Sequence, residues 1–327
     1  MSSGLTLMSN KNEIEFKDLR DAFFDEVSEF AFKNKDFYII TNDMDVFSLQ
    51  KLRKEKPNQF INVGVAEQNM INVAAGLSAT GKKVLIFGIA SFIILRCYEQ
   101  IKMNICSMKL PVILAGIGTG FSFSYDGPTH HATNDLSIAR SLPEIDVYSP
   151  GDVSSAKFSA LSALRFESAS YCRIDKGMYP NYLLNTNSNM ESLGWNEICK
   201  LKKINIMSHS YMVQKCHEVV KELDRENIEL GLVNIFRIKP IHKDSILEII
   251  KKSKLIITIE ENSIINGLGS IISELITDNS LETKLLRLGL SEEQALYYGT
   301  RDYMLSRNNL EISQIKKSIL SAINKIK

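Results

Sequence analysis

The sequence predicts an α/β protein with two doubly wound domains, each with a parallel sheet between helices. Short apolar runs rich in β-branched residues alternate with longer amphipathic segments, which is typical of βαβ units. A chain of 327 residues is too long for one ordinary core and suits two domains. A stretch at residues 175–196 is rich in turn formers and poor in periodicity, and it separates the two halves.

The first domain is predicted at residues 12–185. Its strands are predicted at residues 37–41, 60–63, 83–88, 111–116, 146–149 and 170–174, because these short runs are apolar and β-branched. Its helices are predicted at residues 16–33, 66–80, 92–108, 134–141 and 154–165. Ligands of parallel sheets bind beyond the carboxyl ends of the strands, so the loops after residues 63 and 116 are expected at a binding edge.

A linker is predicted at residues 186–200 and a smaller α/β domain at residues 201–327. Strands are predicted there at residues 204–207, 229–234, 255–260 and 284–288, and helices at residues 211–227, 243–252 and 268–278.

Composition and charge limit the function classes. With 39 basic and 38 acidic side chains, the net charge of +1 provides no field that attracts nucleic acid or an anionic membrane. No apolar run reaches the roughly 20 residues of a membrane span, and the first residues lack a signal-peptide pattern. The five cysteines are scattered without a CxxC pair, as in reduced cytosolic proteins. We expect a cytoplasmic protein.

Two segments contain residues suited to catalysis. Residues 64–69, Gly-Val-Ala-Glu-Gln-Asn, place Glu67 at the start of an apolar helix after a strand. A first-turn Glu is also favoured by the helix dipole alone. Residues 125–131, Tyr-Asp-Gly-Pro-Thr-His-His, place one carboxylate and two imidazoles in one turn. Together the two segments suggest an active site.

The order of several short motifs resembles that of the transketolase family. The match runs along residues 35–177 and continues in the second half. The motifs are Val-Gly-Val-Ala-Glu-Gln-Asn at 63–69, Arg-Cys-Tyr-Glu-Gln-Ile at 96–101, Asp-Gly-Pro-Thr-His-His at 126–131, Leu-Pro-Glu-Ile at 142–145, Ser-Pro-Gly-Asp at 149–152, Glu-Glu-Asn at 260–262 and Gly-Leu-Gly-Ser at 267–270.

The resemblance implies thiamine diphosphate as cofactor, with its aminopyrimidine on this kind of domain. It implies that Glu67 is catalytic and binds the cofactor through the pyrimidine nitrogen opposite the amino group. A carboxyl group in a poorly solvated pocket can share a proton with that nitrogen and so promote loss of the thiazolium C2 proton.

The resemblance also implies an aromatic wall that stacks on the pyrimidine. Phe92 and Tyr98 are candidates, although both can equally be core aromatics at helical spacing. The spacing from Phe92 to Arg96 is one residue longer than in deoxyxylulose-phosphate synthases, so Ile93 is a further candidate. Arg96 is expected near the cofactor as well.

Substrate contacts are implied for a larger set. Asp126 would bind a sugar hydroxyl, and His130 would bind a hydroxyl or carbonyl oxygen and assist proton transfer. Without the resemblance, Asp126 could simply cap the turn and His130 could bond a backbone carbonyl. The remaining candidates are Asp45 at the entrance and three cations for a substrate phosphate: Arg96, Arg173 and Lys176.

Several positions depart from the family pattern. Gly118 replaces a phosphate-binding His, Lys176 stands where Arg is usual, and family members often have Gln at His131. Ser208-His209-Ser210 replaces Thr-Gly-Ser. A phosphorylated substrate is therefore an open expectation.

The family's metal and diphosphate site, Gly-Asp-Gly followed about thirty residues later by Asn, is missing from the sequence. Thiamine diphosphate needs a divalent cation such as Mg²⁺ or Ca²⁺. We therefore expect no metal ligands on this chain and a separate subunit that carries this site. The expected assembly is a heterotetramer of two copies of each subunit, in which this chain also self-associates.

The expected reaction transfers a two-carbon ketol unit from a ketose, with or without phosphate, to an aldose. Two other thiamine enzymes remain as alternatives: a deoxyxylulose-phosphate synthase-like condensation and the β subunit of 2-oxo-acid dehydrogenases. A non-catalytic assembly subunit is the third alternative, and the presence of Glu67, Asp126 and His130 argues against it.

Overall fold

The structure is a computed structural model that describes residues 14–165, 167–182 and 190–326. The strands of the first half are β1 (Phe16–Asp18), β2 (Phe37–Thr41), β3 (Phe60–Asn62), β4 (Lys83–Ile89), β5 (Val112–Ile117), β6 (Ile145–Tyr148), β7 (Ala169–Ile174) and β8 (Met178–Pro180). Its helices are α1 (Leu19–Lys33), α2 (Gln50–Glu55), α3 (Glu67–Ala79), α4 (Ala90–Leu95), α5 (Tyr98–Gln100), α6 (Asp135–Ser141) and α7 (Val153–Arg165).

The second half has six further strands and six further helices among the described residues. The strands are β9 (Trp195–Cys199), β10 (Ile204–Ser208), β11 (Gly231–Ile235), β12 (Arg237–Lys239), β13 (Leu255–Ser263) and β14 (Lys284–Leu290). The helices are α8 (Met190–Leu193), α9 (Met212–Asp224), α10 (Lys243–Lys252), α11 (Leu268–Asp278), α12 (Arg301–Arg307) and α13 (Ile312–Ile326).

Two mostly parallel sheets confirm the predicted fold class. The first has the strand order β12-β6-β7-β5-β4-β2-β3 and the second the order β14-β13-β10-β11-β9. All neighbours in the first sheet are parallel except β12, which runs antiparallel to β6. Because β12 comes from the second half of the chain, the first sheet is completed by the second domain.

The first sheet is buried on both faces, as parallel sheets are. Alternate residues of β2 illustrate this, because Ile39 packs in the cluster with Phe23 and Phe24 of α1, whereas Ile40 packs in the cluster with Met70 of α3. All five side chains are fully buried. The two helical layers therefore fix the sheet edge from which the loops of the site extend.

The structure differs from the predicted elements at the start of the chain and in the predicted helix 92–108. Residues 16–18 form β1, and helix α1 begins only at Leu19, because the Asp18 carboxylate accepts the Arg20 N–H at 2.9 Å and caps the helix. Residues 92–108 are divided into α4, α5 and a π-helical turn at Ile101–Cys106. A π-turn changes the direction of successive side chains and so interrupts a regular helix.

The predicted linker also contains secondary structure. Strand β9 lies inside residues 186–200 and pairs antiparallel with β11, so it belongs to the second sheet. Residues 186–189 of the predicted linker lie outside the described residues. Among the residues that the structure describes, every helix is too short or too polar to cross a bilayer.

Candidate active site

Glu67 is held at the carboxyl edge of the first sheet. Strand β3 ends at Asn62 and α3 begins at Glu67, so the carboxylate lies in the first turn of a helix. Its side chain is 5% exposed. Its Oε1 accepts a hydrogen bond from Nδ2 of Asn42 at 2.9 Å, and its Oε2 lies 3.4 Å from Nη1 of Arg96. The edge where parallel sheets bind ligands thus contains a buried carboxylate with two donors.

A chain of contacts leads from this carboxylate through the Arg96 guanidinium to two rings. The guanidinium carbon of Arg96 is 4.0 Å from the centre of the Phe92 ring, and the His130 ring meets the Phe92 ring with 4.8 Å between centroids. Phe92 and His130 are half-buried. Ile93, by contrast, is 0% exposed and belongs to the hydrophobic core. The Phe92 ring is therefore partly accessible at the site, whereas the Ile93 side chain is enclosed in the core.

The loop that carries Asp126 and His130 is tied to helix α4. The Ser91 hydroxyl donates to the carbonyl of Thr129 at 2.8 Å, and the Thr129 hydroxyl lies 3.1 Å from Nδ1 of His130. Asp126 is exposed on the same loop. The tether orients the imidazole toward Phe92 and leaves the Asp126 carboxylate open to solvent.

Lys176 reaches this loop from the end of β7. Its Nζ lies 4.1 Å from the centre of the Phe123 ring. Phe123 in turn packs on the backbone of Gly118, where an added Cβ would come within 2.0 Å of the ring. Gly118 also has a φ of +83°, a conformation that favours glycine. The aromatic ring thus fills the space beside Gly118 and positions the Lys176 charge at the loop.

Tyr98 and Asp45 have other partners. The Tyr98 hydroxyl lies 3.2 Å from the hydroxyl of Ser141 on α6. The Asp45 side chain is 44% exposed and lies 3.5 Å from Nη1 of Arg53. The geometry thus brings neither residue into the contacts that join Glu67 to its neighbours.

Arg173 is enclosed in the protein. Its side chain is 0% exposed, and its Nε donates to Oδ2 of Asp135 at 2.8 Å. Its Nη2 donates to the backbone carbonyls of Ala132 at 2.9 Å and of Glu261 at 3.2 Å. Arg173 therefore connects the end of the His130 loop with strand β13 of the second domain, rather than lining an open surface.

Two features of the site were not identified from the sequence. The first is Asn42, which follows β2 at the same sheet edge and bonds the Glu67 carboxylate. The second is Arg301, whose guanidinium bonds Asp175 at the end of β7 and Glu261 at the end of β13. The position of Asn42 after a predicted strand was a usable signal, whereas no motif marks Arg301.

Burial keeps several reactive side chains neutral. It raises the pKa of the Cys97 thiol to about 12, with a smaller contribution from Glu67, so this thiol is not a nucleophile near pH 7. Burial lowers the pKa of His209, whose Nδ1 lies 2.9 Å from the Ser149 hydroxyl and whose Nε2 lies 3.6 Å from the Glu260 carboxylate. These groups are suited to structure, and the acid–base candidates remain Glu67 and His130.

Comparison with known families identifies both halves of the chain. Residues 16–181 match the transketolase pyrimidine-binding domain, and residues 194–306 match the transketolase C-terminal domain. The chain belongs to the transketolase family. Its domain composition is that of the C-terminal subunit of a split transketolase, and the family depends on thiamine diphosphate.

Relatives of two kinds are similar to the chain. A subunit of the apulose-4-phosphate transketolase of Phocaeicola vulgatus is 25% identical, and the alignment covers 94% of this chain and 97% of that protein. The 1-deoxy-D-xylulose-5-phosphate synthase of Clostridium tetani is 30% identical over 91% of this chain, but the chain spans only 48% of its length. The chain thus covers about half of the synthase and nearly all of the transketolase subunit.

A solved structure also matches this chain over nearly its whole length. A split-gene transketolase described as an inactive beta4 tetramer superposes with a TM-score of 0.81 at 25% identity, over 95% of this chain and 99% of that one. Transketolase from Pichia stipitis shares the fold, with a TM-score of 0.76 at 16% identity.

The donor set fits the pyrimidine end of thiamine diphosphate. The Glu67 carboxylate offers an acceptor for a protonated ring nitrogen, and the half-buried Phe92 offers a surface for ring stacking. Within the described residues, no cluster of three or more His, Cys, Asp or Glu side chains is placed to hold a metal ion.

Proposed function

We propose that this chain is the catalytic C-terminal subunit of a two-chain transketolase in the cytoplasm. It would transfer a two-carbon ketol unit from a ketose, preferably phosphorylated, to an aldose. A partner subunit would hold the diphosphate and Mg²⁺ or Ca²⁺, and two copies of each would form a heterotetramer around a dimer of this chain. The main support for the proposal is the buried Glu67 carboxylate, which the Arg96 guanidinium joins to the Phe92 ring.

Glu67 would hold a proton at the pyrimidine nitrogen. Its Oε1 is occupied by the Asn42 amide, so Oε2 is the oxygen available to the ring. Among the described residues, the polar contact of Oε2 is the one to Nη1 of Arg96 at 3.4 Å, and the Arg96 side chain is 46% exposed. When bound, thiamine diphosphate supplies the carbon nucleophile of the reaction. Glu67 assists by exchanging the proton that this activation requires.

His130 and Asp126 would act on the substrate. The His130 imidazole lies edge-on to Phe92 and can donate or accept a proton at a sugar hydroxyl or carbonyl oxygen. Asp126, exposed on the same loop, would accept a hydrogen bond from a sugar hydroxyl. The two groups are four residues apart across a Gly-Pro turn, which lets them converge on one small molecule.

The other predicted site residues would have different roles. Arg96 and Lys176 would bind a phosphate, because both cations border the site. Asp45 would lie at the entrance, and Tyr98 would support the cofactor pocket from α5. Arg173 would position the His130 loop from its buried place, because its guanidinium is already bonded to Asp135 and two carbonyls.

The resemblance to one subunit of an apulose-4-phosphate transketolase supports ketol transfer, since that relative matches nearly its whole length. A deoxyxylulose-phosphate synthase-like condensation is the second candidate. It is favoured by the Arg-Cys-Tyr-Glu-Gln segment at 96–100 and by 30% identity to the Clostridium tetani synthase. Release of CO₂ from pyruvate by the assembled enzyme would identify the synthase-like reaction, whereas ketol transfer releases none.

The deciding experiment uses a partner chain that contains Gly-Asp-Gly and a downstream Asn, sought in the neighbouring reading frame. Calorimetry would follow thiamine diphosphate with Mg²⁺ added to this chain, to the partner and to their mixture. We expect tight binding and turnover only in the mixture. Robust binding and turnover by this chain alone would overturn the two-chain proposal.

A further inference from the structure

Asn42 makes a close polar contact with Glu67. It follows strand β2 directly, is 8% exposed, and donates from Nδ2 to Oε1 of Glu67 at 2.9 Å. Its own Oδ1 is buried, and within the described residues it has no hydrogen-bond partner. A buried amide oxygen without a partner is costly, so such a residue is expected to have a role beyond packing.

The backbone leaves a specific space for this amide. Gly88, in strand β4, lies against it, and a Cβ added there would come within 2.4 Å of Oδ1 of Asn42 and 2.9 Å of Cγ2 of Ile93. The backbone at Gly88 is that of a strand, so a positive φ is not the reason for glycine at this position. The missing side chain therefore serves the close approach of the Asn42 amide.

An amide can bond a carboxyl group in either protonation state, which a charged partner cannot do. Its NH₂ group donates to a carboxylate, and after a half-turn of the amide its oxygen accepts from a protonated carboxyl group. The unpartnered Oδ1 of Asn42 is available for the second arrangement. Lysine or arginine would favour only the charged form, and aspartate would favour only the neutral form.

Glu67 changes its protonation state in the proposed function, on which this inference rests. We propose that Asn42 is a positioning residue that holds the Glu67 carboxyl group by Oε1 in both protonation states, and so keeps Oε2 directed to the pyrimidine nitrogen. Gly88 provides the space in which the amide turns. A mispositioned carboxyl group would lose alignment with the ring nitrogen and slow the proton transfer.

The first test uses the isolated chain without cofactor. The side-chain amide signal of Asn42 in ¹⁵N-labelled protein is assigned by its loss in Asn42→Ala. We expect this signal to move in Glu67→Ala and in Gly88→Ala. It should stay in place in Gly76→Ala, because a Cβ added to Gly76 of α3 would meet no described residue beyond its own helical turn within 4 Å. An amide signal that does not respond to Glu67→Ala would overturn the contact.

The second test measures exchange of the thiazolium C2 proton in the assembled complex. We expect Asn42→Ala to slow exchange about tenfold or more, as small losses of alignment do, with cofactor affinity nearly unchanged. Asn42→Asp should also shift the acid limb of the pH profile upward by at least about 0.5 pH unit, because a second carboxylate favours the protonated form of Glu67. A merely structural role of Asn42 would not move this profile.

The outcomes separate the two proposals. If Glu67→Ala slows exchange but Asn42→Ala and Asn42→Asp keep the normal rate and pH profile, the inference on Asn42 fails and the proposed function stands. If Glu67→Ala itself leaves exchange unchanged, the proposed function fails. If Asn42→Ala does not assemble, Gly88→Ala decides, since displacement of the amide by the new methyl group should reproduce the slow exchange and a normal rate would contradict the role.

Discussion

Arg301 of helix α12 and Asp175 at the end of β7 join the two domains through a buried ion pair. Nη1 of Arg301 lies 2.6 Å from Oδ2 of Asp175, and these side chains are 15% and 0% exposed. The same guanidinium bonds the Glu261 carboxylate with Nε at 2.9 Å from Oε1. Glu261 also accepts a hydrogen bond from the backbone N–H of Phe121 at 3.1 Å. Phe121 lies at the start of the His130 loop. The second domain thereby fixes the loop that carries the substrate residues.

Removal of this arginine should destabilise the protein strongly. Arg301→Met leaves the two carboxylates buried without their cation, which typically costs about 3–5 kcal/mol. Urea unfolding at pH 7 measures the difference. Arg165→Met is the matched control, because Arg165 is 62% exposed in its pair with Glu191, and it should cost less than about 1 kcal/mol.

Acid should reduce the difference in the free energy of unfolding between Arg301→Met and the unmodified chain. Burial alone would raise the pKa of Asp175, but the Arg301 charge and the Tyr179 hydroxyl outweigh it and lower that pKa below its ordinary value. The pair therefore stabilises the fold fully above the ordinary carboxyl pKa, and this contribution is lost as pH falls through the lower folded-state pKa. Urea unfolding at acid pH measures this change, and a difference as large below the folded-state pKa of Asp175 as at pH 7 would contradict the prediction.

His209 predicts a second pH dependence with a different range. Burial lowers the pKa of His209 in the folded state, so the unfolded chain binds more protons below about pH 6.5 and stability decreases as the pH falls. His209→Asn keeps a group near the Ser149 hydroxyl but cannot bind this proton. We expect the melting temperature of the variant to fall less between pH 7 and pH 5. Because burial also lowers the pKa values of His131 and His217, part of the decrease should remain. An identical decrease in the melting temperature of the variant and of the unmodified chain would refute the role of His209.

Glu67 and His130 should affect different steps. In the assembled enzyme, Glu67→Ala should slow exchange of the thiazolium C2 proton by at least about 100-fold, because acid–base assistance is lost. His130→Ala should leave this exchange largely intact and lower ketol transfer by a similar factor. Quenched-flow NMR measures exchange, and a coupled assay with sugar phosphates measures transfer. A normal exchange rate in Glu67→Ala would exclude the proposed proton partner.

Phe92 and Ile93 can be distinguished as stacking residues. Phe92→Leu removes a half-buried ring and should weaken thiamine diphosphate binding about threefold to tenfold, the size of one aromatic contact. Ile93→Val removes a methyl group from the core and should cost about 0.5–1.5 kcal/mol of stability without changing cofactor affinity. Calorimetry and urea unfolding give the two quantities. The opposite pattern would assign stacking to Ile93.

The Phe123 ring on Gly118 predicts a substrate effect. Gly118→Ala introduces a Cβ that would lie 2.0 Å from Cε2 of Phe123, so the loop with Asp126 must shift. We expect a higher KM for the sugar substrate and unchanged C2 proton exchange. Gly81→Ala is the control, since Gly81 has the same φ of +83° but open space around an added Cβ. It should cost about 1 kcal/mol of stability and leave KM unchanged. Equal KM values in both variants would contradict a role for the ring contact.

Elements with strong local patterns were predicted well from the sequence. Strand β2 and helices α10 and α11 have the predicted bounds, because each combines a clear apolar period with a turn or cap at its ends. Strands β9 and β12 were not predicted. They contain five and three residues, and each forms only because a distant strand, β11 or β6, pairs with it. Pairing over a long sequence separation leaves no local pattern.

The sequence by itself determined the family, the two-domain α/β class and the position of Glu67 after a strand, because these depend on local periodicity and on the order of short motifs. The tertiary structure decided which side chains meet. It placed Asn42 on the Glu67 carboxylate, turned Ile93 into the core and Phe92 toward the site, and enclosed Arg173. Such contacts join residues from separate strands and helices, so they arise only when sheet order and packing bring those elements to one edge.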